Sequence, residues 1–107
     1  MIATKRSRRI VIIVDASLRD QFLEKIVELG ARDYNYTDCV GRGMHAVTGD
    51  PFTGDSLVRI EILTTDQTAA AIMDSIHAAQ SSQFSRYALT AFMDNVEIDA
   101  RHNSPMT

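Results

Sequence analysis

Ile10-Val11-Ile12-Ile13-Val14-Asp15-Ala16-Ser17-Leu18 changes its hydrophobic period within a few residues. Ile10–Val14 is a continuous β-branched run, which reads as a central strand buried on both faces. Asp15-Ala16-Ser17 ends that run. Leu18, Phe22, Ile26 and Leu29 then recur at spacings of four, four and three, with Leu23 and Val27 beside them. That is the apolar stripe of an amphipathic helix. Asp15 or Ser17 can cap its first turn, and Gly30 suits the left-handed position just past its end.

Working outward, Tyr34–Val40 reads as a second strand. It alternates Tyr34, Tyr36, Asp38 and Val40 with Asn35, Thr37 and Cys39. Leu57–Thr64 reads as a third, with Val58, Ile60 and Ile62 on one side and Arg59 and Glu61 on the other. Thr65-Asp66 can cap a second helix whose stripe is Ala69, Ile72, Met73 and Ile76. Arg86–Asp94 is the fourth strand, Val96–Ile98 a short extra strand or tail, and 101–107 a frayed end. The order β-α-β-β-α-β predicts an α+β, ferredoxin-like fold: an antiparallel sheet with both helices on one face. The other face would carry Arg59 and Glu61 among apolar neighbours such as Leu57 and Leu63. A half-apolar open face on a small domain points to self-association.

The chain has 107 residues, of which 45% are apolar, enough for one domain with one core. Its net charge of −3 argues against a broad nucleic-acid-binding role. Lys5, Arg6, Arg8 and Arg9 precede the first apolar run and read as a basic, solvated N-terminal arm. The expected organisation is thus an arm over 1–8, a domain over 9–99 and a tail over 100–107. One cysteine, Cys39, allows no internal disulfide. No stretch approaches the roughly 18 apolar residues of a membrane span, and Ile10–Val14 is too short for a secretory signal. A cytoplasmic setting without membrane insertion is the expectation.

Residues 41–55 carry the chemistry. Four of the five glycines lie there, as Gly41, Gly43, Gly49 and Gly54. A hairpin loop needs only about two to five residues, so this segment is longer than its connection requires. Glycine lets backbone amides approach an anion closely. Arg42 adds a fixed charge with a planar fork of donors. His45 adds a donor whose charge changes near neutral pH.

With these residues in view, the sequence resembles the PII signalling superfamily, and within it the PII-like branch linked to inorganic-carbon uptake and carboxysomes. Three segments carry the resemblance. They are Arg9–Asp15 with its helix and Gly30-Ala31-Arg32, then Tyr36–Gly43 ending in Gly41-Arg42-Gly43, then Val58-Arg59-Ile60-Glu61-Ile62-Leu63. Gly41-Arg42-Gly43 is similar to the base of the family's T-loop. The resemblance spans about residues 8–98. It implies a homotrimer with its sheets facing inward and adenine-nucleotide sites in the clefts between subunits. Carried over by position, Asn35 and Thr37 would surround adenine and ribose. Amides of Gly41, Arg42 and Gly43 would meet phosphate, and Arg86 lies near the family's phosphate-binding lysine.

The departures narrow this expectation. No tyrosine lies between residues 41 and 56, so uridylylation is not expected. Ser81–Arg86 has no glycine where the family has a glycine-rich B-loop, so ADP or AMP is a better ligand than a triphosphate. Some members of the carbon-linked branch sense bicarbonate, and Arg42 with His45 could receive that anion. The resulting reading is a sensor of ADP or AMP, with bicarbonate, that acts on a bicarbonate transporter or a carboxysome-linked protein. An alternative is a metal-responsive relative of the divalent-cation-tolerance kind, with Cys39, His45, His77 and His102 as ligands; their scatter fits no ligand spacing. Asp15, Asp38, Asp50, Asp55 and Glu61 define no acid–base pair, and no nucleophile or Walker motif occurs, so an enzyme is not expected.

Overall fold

The computed structural model describes residues 4–42, 54–82 and 86–99. The elements are β1 (Thr4–Asp15), α1 (Arg19–Glu28), β2 (Asp33–Gly41), β3 (Asp55–Thr64), α2 (Asp66–Gln80) and β4 (Leu89–Asp99), with a short 3₁₀ turn, Ala16–Leu18, before α1. The four strands form one antiparallel sheet in the order β2-β3-β1-β4. This is the ferredoxin-like arrangement that the element order predicts.

The core lies between one sheet face and the two helices. Ile10, Ile12 and Val14 of β1 and Val58, Ile60 and Ile62 of β3 are fully buried. They cluster with Leu18, Phe22 and Ile26 from the first helical segment and Ala69, Ile72 and Ile76 from α2. Thus the period-two residues of the strands meet the period-3.6 stripes of the helices.

Local bonds mark the helix ends that the sequence singles out, with the Asp15 cap falling on the 3₁₀ turn that leads into α1. The Asp15 carboxylate accepts from the Ser17 N–H at 2.9 Å, and the Thr65 hydroxyl accepts from the Thr68 N–H at 3.3 Å. At the end of α1 the Gly30 N–H donates to Val27 and the Ala31 N–H to Ile26, at 3.0 and 2.9 Å. Gly30 takes φ +113° to close this pair of bonds.

β4 begins at Leu89, three residues after the Arg86 start read from the sequence, and two further boundaries differ for one shared cause. β1 starts at Thr4, so the basic run expected to be an arm lies mostly within a strand. β4 runs unbroken from Leu89 to Asp99, so Val96–Ile98 is neither a separate strand nor a tail. The two extensions pair with each other, from Thr4 opposite Asp99 to Arg9 opposite Asp94. Beyond Arg8, which is opposite Thr64, they form a two-stranded ribbon without β3.

Candidate functional site

β2 ends and both β3 and β4 begin at the same end of the sheet. Gly41 lies opposite Asp55, Leu57 opposite Asp15, and Val14 opposite Leu89. The loop-base residues and Arg86 therefore share that end. They do not share an edge. β2 is one edge strand and β4 the other, with β3 and β1 between. At the usual interstrand spacing this separates them by roughly 14 Å. One chain alone does not gather all the predicted contacts.

On β2, Asn35 and Thr37 lie opposite Glu61 and Arg59, on the sheet face away from the helices. Both are exposed. Arg59 and Glu61 pair with each other at 3.3 Å. The same face carries Arg9 and Asp94, joined at 2.7 and 3.0 Å. Hydrogen bonding and attraction from Asp94 raise the Arg9 pKa, and the nearby Glu61 adds to this. The guanidinium of Arg9 in turn holds the Asp94 carboxyl below the ordinary carboxylate range. The face also holds Phe92, which is 46% exposed. A chain of alternating charges, Asp94, Arg9, Glu61 and Arg59, thus crosses the uncovered face beside an exposed ring.

Tyr34 and Tyr36 point to the helix side, in step with Ile62 and Ile60. The Arg19 guanidinium sits 5.6 Å from the centre of the Tyr36 ring. These aromatics are exposed on that side and are turned away from Asn35 and Thr37.

At the loop base, Gly41 and Gly54 approach closely. Gly54 has φ +71°, and a Cβ placed there would lie 3.1 Å from the Gly41 carbonyl oxygen and 3.1 Å from Val40 Cγ1. Glycine is the residue that fits both the conformation and the space. The sequence marks Gly54 only as part of a glycine-rich segment; its contact with Gly41 depends on strand register. Arg42 and Arg86 are exposed, and neither has an ion-pair partner among the described residues. Gly43 and His45 lie outside the described residues.

The ligands named for a metal do not converge among the described residues. Cys39 is half-buried on the open face of β2, and His77 is exposed on α2, across the sheet. His45 and His102 are outside the described residues. No three His, Cys, Asp or Glu side chains gather as a metal site among the described residues. No described helix is long and apolar enough to cross a membrane. A groove of about 450 Å³ between α1 and α2, lined by Phe22, Ile26, Leu29, Ile72 and Ile76, lies in the helix layer, away from the loop base.

A family model described as nitrogen regulatory protein P-II matches residues 7–98. No curated protein matches the sequence. Among solved structures, a PII-like signalling protein from Thermus thermophilus superposes with a TM-score of 0.67 at 22% identity, covering 92% of this chain and 94% of that one. CPII from Thiomonas intermedia K12, bound to ADP and bicarbonate, gives a TM-score of 0.74 at 13% identity over 92% and 94% of the two chains. The GlnK–ATP complex of B. subtilis gives 0.63 at 10% identity over 85% and 82%. These structures share the fold, and the family model spans all four strands and both helices from Ser7 onward. The chain belongs to the nitrogen regulatory protein P-II family.

Proposed function

We propose that this chain is a regulatory sensor that binds ADP or AMP, together with bicarbonate, between the subunits of a homotrimer. The observation that carries the reading is the split of its anion-binding groups. Gly41 and Arg42 stand at the end of the β2 edge strand, with Thr37 and Asn35 farther back along it, and Arg86 stands beside the β4 edge at the same end of the sheet as Gly41. A second copy with its β4 edge beside β2 brings Arg86 of one copy to Gly41 and Arg42 of the next. That arrangement covers two open sheet edges and, with the sheets turned inward as the resemblance implies, the face carrying Phe92. It also gives the guanidinium groups of Arg42 and Arg86 a shared anionic ligand.

The structural likeness to CPII, crystallised with ADP and bicarbonate, supports this choice of ligands. Ser81–Arg86 supplies no glycine-rich cradle for a third phosphate, which favours ADP or AMP over ATP. Bicarbonate would take the remaining donors of Arg42 and His45. Occupancy shifts the 41–55 segment between states by its differential affinity for them. That segment then controls a partner, a bicarbonate transporter or a carboxysome-linked protein.

Isothermal titration of the purified protein with ADP, AMP and bicarbonate, singly and combined, tests the reading. Saturable heat with at least one nucleotide is expected. Absence of heat with every nucleotide, with and without bicarbonate, would overturn it.

A further inference from the structure

We infer that Gly54 is a positioning residue for the anion-receiving backbone of Arg42. This rests on the proposed nucleotide site and adds to it a residue from the opposite stem of the loop. The nearest atom to a Cβ at Gly54 is the Gly41 carbonyl oxygen, at 3.1 Å, with the carbonyl carbon at 3.3 Å. The Gly41 carbonyl therefore leans onto the space that a side chain at position 54 would fill. The chain has no cis peptide among the described residues, so the Gly41–Arg42 peptide is trans. In a trans peptide the carbonyl and the following N–H point in opposite directions. With its carbonyl held toward Gly54, this peptide turns the Arg42 N–H away from the returning strand.

Arg42 lies just past the last paired residue of β2, Gly41 opposite Asp55. A backbone N–H is a strong donor that seeks a partner, and the Arg42 guanidinium is attached to the same residue. Main chain and side chain of Arg42 thus offer donors at one place, and the missing side chain of Gly54 sets the direction of the first. Position 54 needs glycine twice over. Its φ of +71° is unfavourable for other L-residues, and a Cβ would press on two neighbours at 3.1 Å, each of which would have to give by a few tenths of an ångström. Of the two obstacles, Val40 Cγ1 is a side-chain atom that can be removed, whereas the Gly41 carbonyl is backbone and gives only if its peptide moves.

The test compares wild type with Gly54→Ala, Val40→Ala, the double variant and Gly30→Ala by amide NMR, without ligand and during titration with ADP. Gly30 is the matched control, since it also has positive φ but closes α1 beside Thr68. Without ligand, Gly54→Ala should shift the Gly41 and Arg42 amide signals, and Gly30→Ala should leave them in place. With ADP, Gly54→Ala should bind at least tenfold more weakly than wild type, and Gly30→Ala should bind as wild type does. The double variant should stay weak, because removing Val40 Cγ1 does not free the carbonyl. Unmoved Gly41 and Arg42 signals in Gly54→Ala, or full affinity in that variant or in the double variant, would overturn the positioning role. A wild type that shows no shift with ADP would overturn the nucleotide reading instead, and the ligand-free comparison would still decide whether Gly54 orients this peptide.

Discussion

Arg9 and Asp94 face each other across β1 and β4, with Arg9 Nε donating to Asp94 Oδ1 at 3.0 Å and Nη2 to Oδ2 at 2.7 Å. The pairing is bidentate, so the guanidinium fork fixes both carboxylate oxygens. It joins the long ends of two strands that contain few apolar residues, and it sits on the face that the proposed trimer covers.

The first prediction concerns this pair. Hydrogen bonding from Arg9 lowers the Asp94 pKa in the folded chain, with desolvation opposing it and the attraction of Arg9 adding to it. A depressed folded-state pKa stabilises the fold above the unfolded carboxylate value, about 3.9. That stabilisation is lost as pH falls through the lower, folded value. In Arg9→Gln, a carboxyl-detected NMR titration of Asp94 should show its pKa rising toward the ordinary range. An unchanged titration in the variant would show that Arg9 is not the cause.

A second prediction addresses the core. Ile60 is fully buried in the centre of β3, within the cluster formed by both helices and β1. Ile60→Ala removes most of that side chain and should cost about 2–5 kcal/mol in chemical denaturation. Ile60→Val should cost only about 0.5–1.5 kcal/mol. A loss under about 1 kcal/mol for the alanine variant would mean that the site collapses to fill the gap.

The sequence made the core legible because its signals are local. Ile10–Val14 and Val58–Ile62 carry strand patterning in their own side chains, and Phe22, Ile26, Ile72 and Ile76 keep helical spacing. The ribbon of Thr4–Ser7 with Val96–Asp99, and the Arg9–Asp94 pair at its base, was less visible. Its strand character comes from partners far apart in sequence, Arg9 and Asp94 by 85 residues. A basic run considered alone gives no sign of an acidic partner strand. The loop base follows the same rule. Gly41-Arg42-Gly43 stands out as a motif, whereas the close approach of Gly54 to Gly41 arises only once β2 and β3 are in register.

A third prediction uses Gly30. Its φ of +113° closes α1, and a Cβ there would lie 3.3 Å from Thr68 Oγ1. Gly30→Ala combines backbone strain with a tight side-chain contact and should cost about 1–3 kcal/mol of stability by denaturant unfolding. The Thr68 side chain can rotate away, so Gly30→Ala with Thr68→Ala should recover only the part due to crowding. Full recovery in the double variant would show that the conformation at residue 30 carries no strain.

The last prediction tests whether the nucleotide site is shared between copies. Arg42 follows β2 and Arg86 precedes β4, on opposite edges of the sheet. Removing either guanidinium should remove a charge-assisted hydrogen bond of about 1.5–3 kcal/mol, or roughly ten- to hundredfold in ADP affinity. Arg42→Ala and Arg86→Ala assemblies should therefore each bind weakly. Co-folding the two variants from denaturant makes mixed assemblies. Where an Arg86→Ala chain offers its intact β2 edge to the intact β4 edge of an Arg42→Ala chain, both arginines are present in one cleft. The reverse junction lacks both. A shared site thus predicts that the mixture regains a fraction of wild-type-affinity sites, seen as a tight phase in ADP titration. A site contained within one chain predicts none, because every chain then lacks one of the two arginines.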